Sequence, residues 1–164
     1  KFEKFFLKFC DIIKKIPEIE IVVKLHPSQD KHNDDIKNIF KKIDSSILVY
    51  HVKPITELIS MSDVVVTVSP EGFDPTTVIL ESMIQEKPTM NIILDDNLFE
   101  FEYVKDNAVL SIFFNDQLET NLKNILFNNE IKNNLIKNGK NHIKNYLTNP
   151  GTSSKYFAKI IDSF

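Results

Sequence analysis

Asp63-Val64-Val65-Val66-Thr67-Val68-Ser69, then Pro70-Glu71-Gly72-Phe73-Asp74-Pro75, then Thr76-Thr77-Val78-Ile79-Leu80-Glu81 is the stretch on which the fold turns. The β-branched run reads as a buried strand, the Pro/Gly segment as a loop, and the paired threonines as the start of a helix. Glu81 follows Thr77 by one helical turn, so the two share a face. In an open parallel sheet, ligands collect beyond the carboxyl ends of strands, where a helix start offers unpaired N–H groups to a phosphate.

The same alternation extends in both directions. Phe2 to Lys15 reads as a helix with Phe2, Phe5, Phe6, Phe9, Ile12, Ile13 and Ile16 on one face, ended by Pro17. Ile19 to Leu25 reads as a strand, with Ile21, Val22 and Val23 expected to be buried on both faces. A polar helix is expected over Asp30 to Ile43, a strand over Ile47 to Val52, and a short helix opened by Pro54. After the central stretch come a helix to about Gln85, a strand Thr89 to Leu94, and a further strand Ala108 to Phe114, placed at a sheet edge. The remainder reads as helical, and Asn149-Pro150-Gly151 separates a last helix that Thr152 or Ser153 can cap. Strands alternating with helices through short connections imply parallel βαβ units with helices on both faces. The first helix is apolar enough to need a sheet beneath it, so the chain is expected to be one domain of a larger protein, with its opening strand or a whole first domain upstream.

Composition narrows the function classes. The chain has 164 residues, 42% hydrophobic and 26% charged, the profile of one ordinary globular domain. A formal net charge of -3, with lysines interleaved among acids, argues against a nucleic-acid partner. No apolar run reaches the ~18 residues of a membrane span. Cys10 is the only cysteine, which excludes an internal disulfide, reads as a small buried hydrophobe and fits a reducing cytoplasm. Four scattered histidines and one cysteine give little support for a metal site. The three glycines, Gly72, Gly139 and Gly151, cannot build a dinucleotide fingerprint or a P-loop.

Each candidate for chemistry carries two readings. Thr76 and Thr77 can hold a pyrophosphate with their hydroxyls and amides, or Asp74-Pro75 can simply cap a helix there. Glu81 can accept from ribose hydroxyls, or be a surface glutamate on an amphipathic helix. His26, at a strand end before Pro27, can donate to a phosphate or a base carbonyl, or be a satisfied structural group. His51 is a weaker case of the same kind, and His32 and His142 read as exposed helix residues.

Four motifs in order carry a resemblance: Lys24-Leu25-His26-Pro27, Ser62-Asp63 with its strand to Ser69, Thr76-Thr77-Val78-Ile79-Leu80-Glu81-Ser82, and Glu86-Lys87-Pro88. Together they resemble the C-terminal domain of GT-B-type glycosyltransferases, above all enzymes of capsule and surface-polysaccharide assembly and their CDP-glycerol glycerophosphotransferase relatives. The family pattern has Lys-x-His-Pro, Ser-Asp, Ser-Thr-x-x-x-Glu-Ala and Gly-Lys-Pro at these places. The resemblance implies an α/β fold: a Rossmann-like parallel sheet flanked by helices on both faces, with a helical tail, forming one half of a GT-B enzyme. It implies a nucleotide-binding domain over 1–148 and a C-terminal helix over 149–164 that packs toward a first domain, the tail helix otherwise being a core element.

By the same resemblance, the nucleotide diphosphate falls to His26, Pro27, Ser69, Thr76 and Thr77, and the ribose to Glu81. Glu71-Gly72-Phe73 is similar to the Glu-Gly-Phe of retaining sugar transferases, which makes Glu71 and Gly72 candidate sugar contacts. The implied substrate is a nucleotide-diphosphate sugar, used without metal or other cofactor, by an enzyme at the inner face of the membrane and peripherally associated with it. Related alternatives are a UDP-N-acetylglucosamine 2-epimerase-like isomerase, glycerophosphate transfer from CDP-glycerol, and a non-catalytic scaffold domain. Donor sugar, acceptor, stereochemical outcome and catalytic base are open at this point.

Overall fold

A computed structural model describes residues 2–26, 30–69, 76–94, 101–114, 117–147 and 151–163; the side chains of 2, 30–32 and 76 are also outside the description. The elements run α1 (Phe2–Ile13), β1 (Val22–Lys24), α2 (Asp30–Ile43), β2 (Leu48–Tyr50), α3 (Ile55–Met61), β3 (Val65–Ser69) and α4 (Thr76–Ile84). They continue with β4 (Thr89–Ile93), α5 (Glu102–Lys105), β5 (Leu110–Phe113), α6 (Leu118–Phe127), α7 (Asn129–Tyr146) and α8 (Ser153–Ile161). The architecture is α/β with parallel strands throughout. β1 pairs with β2, and β3-β4-β5 form a second parallel group with β4 in the middle.

Helices cover both faces, and the reason lies in the alternation of side chains along the strands. Met90, Ile92 and Leu94 point one way and join Phe5, Ile12, Ile13 and Ile16 from the α1 side and Leu118, Leu122 and Ile125 of α6. Val64, Val66, Val68, Leu110 and Ile112 line the same layer. Aromatic packing fixes α1 there: Phe5 meets Phe114 edge-on at 5.4 Å, and Phe6 meets Phe40 of α2 at 4.8 Å. The opposite face is occupied by α4, whose Ile79 and Met83 pack with Tyr103, Ala108 and Val109. α7 crosses from one layer to the other, with Leu135 in the first core and Ile143 against the second.

The structure departs from the sequence reading, or decides it, at four places. Val22, expected to be buried on both faces, is 42% exposed, and Val23 is only half-buried. Among the described residues β1 has a strand neighbour on one side only, so its apolar run is not enclosed. His142, read as exposed, is 3% exposed and pairs with Asp106, because α7 turns that position toward Tyr103. α5 was not expected; at four residues it is too short to show helical periodicity. The last helix lies wholly exposed, with Tyr156, Phe157, Ile160 and Ile161 outside both cores, so it is not a core element. Thr152 stands at its N-cap without a side-chain capping bond.

Candidate functional site

β3 ends at Ser69 and α4 begins at Thr76, so the strand-to-helix step lies where the sequence placed it. α4 has no acidic residue in its first turn, and its opening N–H groups have no intrahelical acceptors. Thr77 is exposed beside them. One turn on, Glu81 is half-buried, and its Oε2 is enclosed with no hydrogen-bond partner among the described residues. An enclosed carboxylate oxygen without a donor is costly, so the position favours a ligand that brings hydroxyls or N–H groups. Ser82 occupies the neighbouring core position with its hydroxyl donated back to the Val78 carbonyl at 2.7 Å.

Ser69 is buried, and its hydroxyl donates to Asn91 Oδ1 at 3.0 Å. Thr67 donates to the same oxygen at 2.9 Å. Ser69 therefore meets any ligand through its lone pairs or backbone, its proton being committed to Asn91. These side chains belong to a polar seam on the α4 face of the sheet: Thr67 and Ser69 on β3, Thr89 and Asn91 on β4, and Ser111 on β5 opposite Asn91. Ser111 Oγ, like Glu81 Oε2, is enclosed without a partner among the described residues. Sequence reasoning passed over Asn91; the signal available was a single amide inside an otherwise apolar strand.

His26 follows β1 and is exposed, its carbonyl accepting from Asn33 Nδ2 at 3.4 Å. Lys24, also passed over, ties the ends of β1 and β2 together by donating to the carbonyls of Leu25 and His51, at 2.6 and 2.9 Å. Burial pushes the Lys24 ammonium below its ordinary value, in keeping with a charge held, among the described residues, by two carbonyls. His26 thus stands on the two-stranded sheet, while Ser69, Thr76, Thr77 and Glu81 stand on or beside the three-stranded one. Pro27, Glu71 and Gly72 lie outside the described residues, as do Asp74 and Pro75, on which the capping alternative rests.

The Glu-Lys-Pro turn after α4 has a definite geometry. Glu86 adopts φ 57°, the left-handed region that favours glycine, and its carboxylate meets Lys140 Nζ at 2.9 Å. An open groove of about 820 Å³ lies at Lys15 to Pro17, Lys123 and Phe127 to Glu130, beside the residues leading into β1. It contains none of the sequence-designated site residues. Among the described residues, no group of three or more His, Cys, Asp or Glu is arranged to hold a metal, and no helix is long and apolar enough to cross a membrane. No protein-family model, curated protein or solved structure matches the chain.

Proposed function

We propose that the chain is the donor-binding domain of a GT-B-type glycosyltransferase that uses a nucleotide-diphosphate sugar to build a surface glycan. The observation that carries the reading is the enclosed, unpartnered Oε2 of Glu81, one turn after the exposed Thr77 at the start of a helix that follows a parallel strand. A vicinal ribose diol supplies an O–H donor to this oxygen, while helix-start amides and threonine hydroxyls receive a diphosphate. In the transfer, the bond from the anomeric carbon to the phosphate oxygen breaks, the nucleotide diphosphate leaves with the electron pair, and an acceptor oxygen bonds to that carbon. The acceptor's proton passes to a base. Preorganised N–H dipoles stabilise the leaving charge without a metal. In this reading the base and the acceptor pocket belong to a partner domain, so the chain alone binds nucleotide and turns over little.

The test is thermal unfolding with UDP, CDP and GDP at millimolar concentration. A ligand at a hundred times its Kd stabilises the fold by ~2.7 kcal/mol. Glu81→Gln should weaken binding about tenfold, through loss of a charge-assisted hydrogen bond, and Thr77→Ala should weaken it by a comparable factor. A response to CDP alone would redirect the assignment to glycerophosphate transfer. No response to any of the three nucleotides would overturn it.

A further inference from the structure

Among the described residues no strand pairing joins the two sheets, yet they share their covering layers. Ile19 and Ile21, leading into β1, pack in the same core as Val64, Val66 and Val68 at β3, beneath Phe5, Ile12 and Ile13 on the α1 side. On the other face α3 touches both β1 and α4, and its carbonyls at Thr56 and Ser60 accept from Gln85 and Lys87 at the end of α4. The break in strand pairing between β1 and β3, hereafter the space, is therefore covered by helices above and below.

Backbone direction identifies what that space lacks. Leu25 donates to Tyr50, so Val23 and Leu25 turn their peptide groups to β2, while Val22 and Lys24 turn theirs away from it. Val65 donates to Pro88, and Ser69 accepts from Leu94, so Val65, Thr67 and Ser69 face β4 and Val66 and Val68 face away. On β1 the residues whose side chains enter the α1 layer aim their peptide groups at β2. On β3 the residues whose side chains enter that layer aim theirs at the space. For L-residues the side a peptide group takes is fixed by strand direction and side-chain face, so this phase is that of one continuous parallel sheet with β1 and β3 running the same way. The helices agree: α1 and α2 lie on one face and α3 and α4 on the other, and in a doubly wound sheet that change of face occurs at the first strand.

We propose that the space between β1 and β3 is a slot for one further parallel strand, giving the order β2-β1-strand-β3-β4-β5. Its occupant is an extended, β-branched segment that leads directly into α1, since a right-handed crossover through α1 to β1 places its strand there. Such a segment is buried on both faces, pairs with the peptide groups of Val22, Lys24, Val66 and Val68, and is recognised mainly through main-chain hydrogen bonds. This inference does not rest on the nucleotide reading.

The test uses the 164-residue chain carrying an N-terminal extension of about five Val and Ile residues and a short Asn/Gly turn, the length of an average strand. A polar extension of equal length is the control. Amide hydrogen exchange without nucleotide should show Val22, Lys24, Val66 and Val68 protected about tenfold or more by the apolar extension only, with no comparable change at the outer edge strands β2 and β5. Three results would overturn the proposal. One is equal protection of those amides and of the β4-facing Val65 and Thr67 in the unextended chain. Another is protection confined to β2 or β5. The third is protection of the unextended chain that rises with protein concentration, which would make a second copy the occupant.

Discussion

His142 Nδ1 lies 2.7 Å from Asp106 Oδ2, joining α7 one turn before its C-terminal end to the turn after α5. The imidazole stacks on Tyr146 at 5.3 Å and meets Tyr103 edge-on at 6.4 Å, so the pair is enclosed on the histidine side and open on the aspartate side. His142→Ala should cost ~2–3 kcal/mol, combining a cavity with a lost hydrogen bond, whereas Asp106→Asn should cost under ~1 kcal/mol. Urea unfolding checks both values. Equal losses would mean that the carboxylate, not the ring packing, carries the contact.

Asn91 Oδ1 accepts from both Thr67 and Ser69 inside the sheet. Asn91→Ala should destabilise by ~2–3 kcal/mol, because two buried hydroxyls lose their acceptor. Adding Thr67→Val and Ser69→Ala to Asn91→Leu should recover at least half of that loss. A triple variant no more stable than Asn91→Ala would contradict the assignment of the cost to unpaired hydroxyls.

Glu86 holds a left-handed conformation at φ 57°. Glu86→Gly removes a strain of ~1 kcal/mol and loses an exposed ion pair to Lys140 that contributes under ~1 kcal/mol. A net gain of a few tenths of a kcal/mol follows, read as a small rise in Tm, with Glu86→Val falling well below the parent.

Gly139 sits in α7 so close to Met83 that a Cβ there would stand 3.2 Å from Met83 Cγ. Gly139→Ala gains ~1 kcal/mol of helix propensity and requires Met83 to yield slightly, so it should be near neutral. Gly139→Val should lose ~2 kcal/mol or more by forcing α4 and α7 apart. A loss above ~1.5 kcal/mol for the alanine variant would show that Met83 cannot move.

Cys10 is fully buried, and burial pushes its thiol above the ordinary value of 9.0. The folded chain then holds the thiol proton after the unfolded chain has released it. The stabilisation is complete below pH 9.0 and is lost as pH rises through the folded value. Unfolding free energy should decline in this window, and Cys10→Ala should flatten the decline. Thiol labelling in native buffer should be slow and should accelerate with urea.

The fold was legible where periodicity ran long. Phe5, Ile12 and Ile16 marked the face of α1, and Val64 to Val68 marked β3, because these residues answer to one dominant surface. The exposure of Val22 was not legible, since burial of a strand depends on a neighbour that its own residues do not encode. His142 was misread for a similar reason: its burial comes from Tyr103 and Asp106, thirty-odd positions away and without local signal. At the candidate site, the spacing of Thr77 and Glu81 was visible, but the solitary state of Glu81 Oε2 and the role of Asn91 required three-dimensional neighbours.

The sheet presents Val66, Val68, Met90, Ile92 and Ile112 to the α1 layer and Thr67, Ser69, Asn91 and Ser111 to the α4 layer. The polar side chains of the second face bond to one another inside the sheet, Thr67 and Ser69 to Asn91, so they tie β3 to β4, while α4 is held by the apolar contacts of Ile79 and Met83. Apolar contact carries the heat-capacity change and weakens on cooling, and hydrogen bonds within the sheet do not share that decline. Near freezing, the helices on both faces should loosen before β3 and β4 part, so the sheet acts as the cold-resistant spine of the domain.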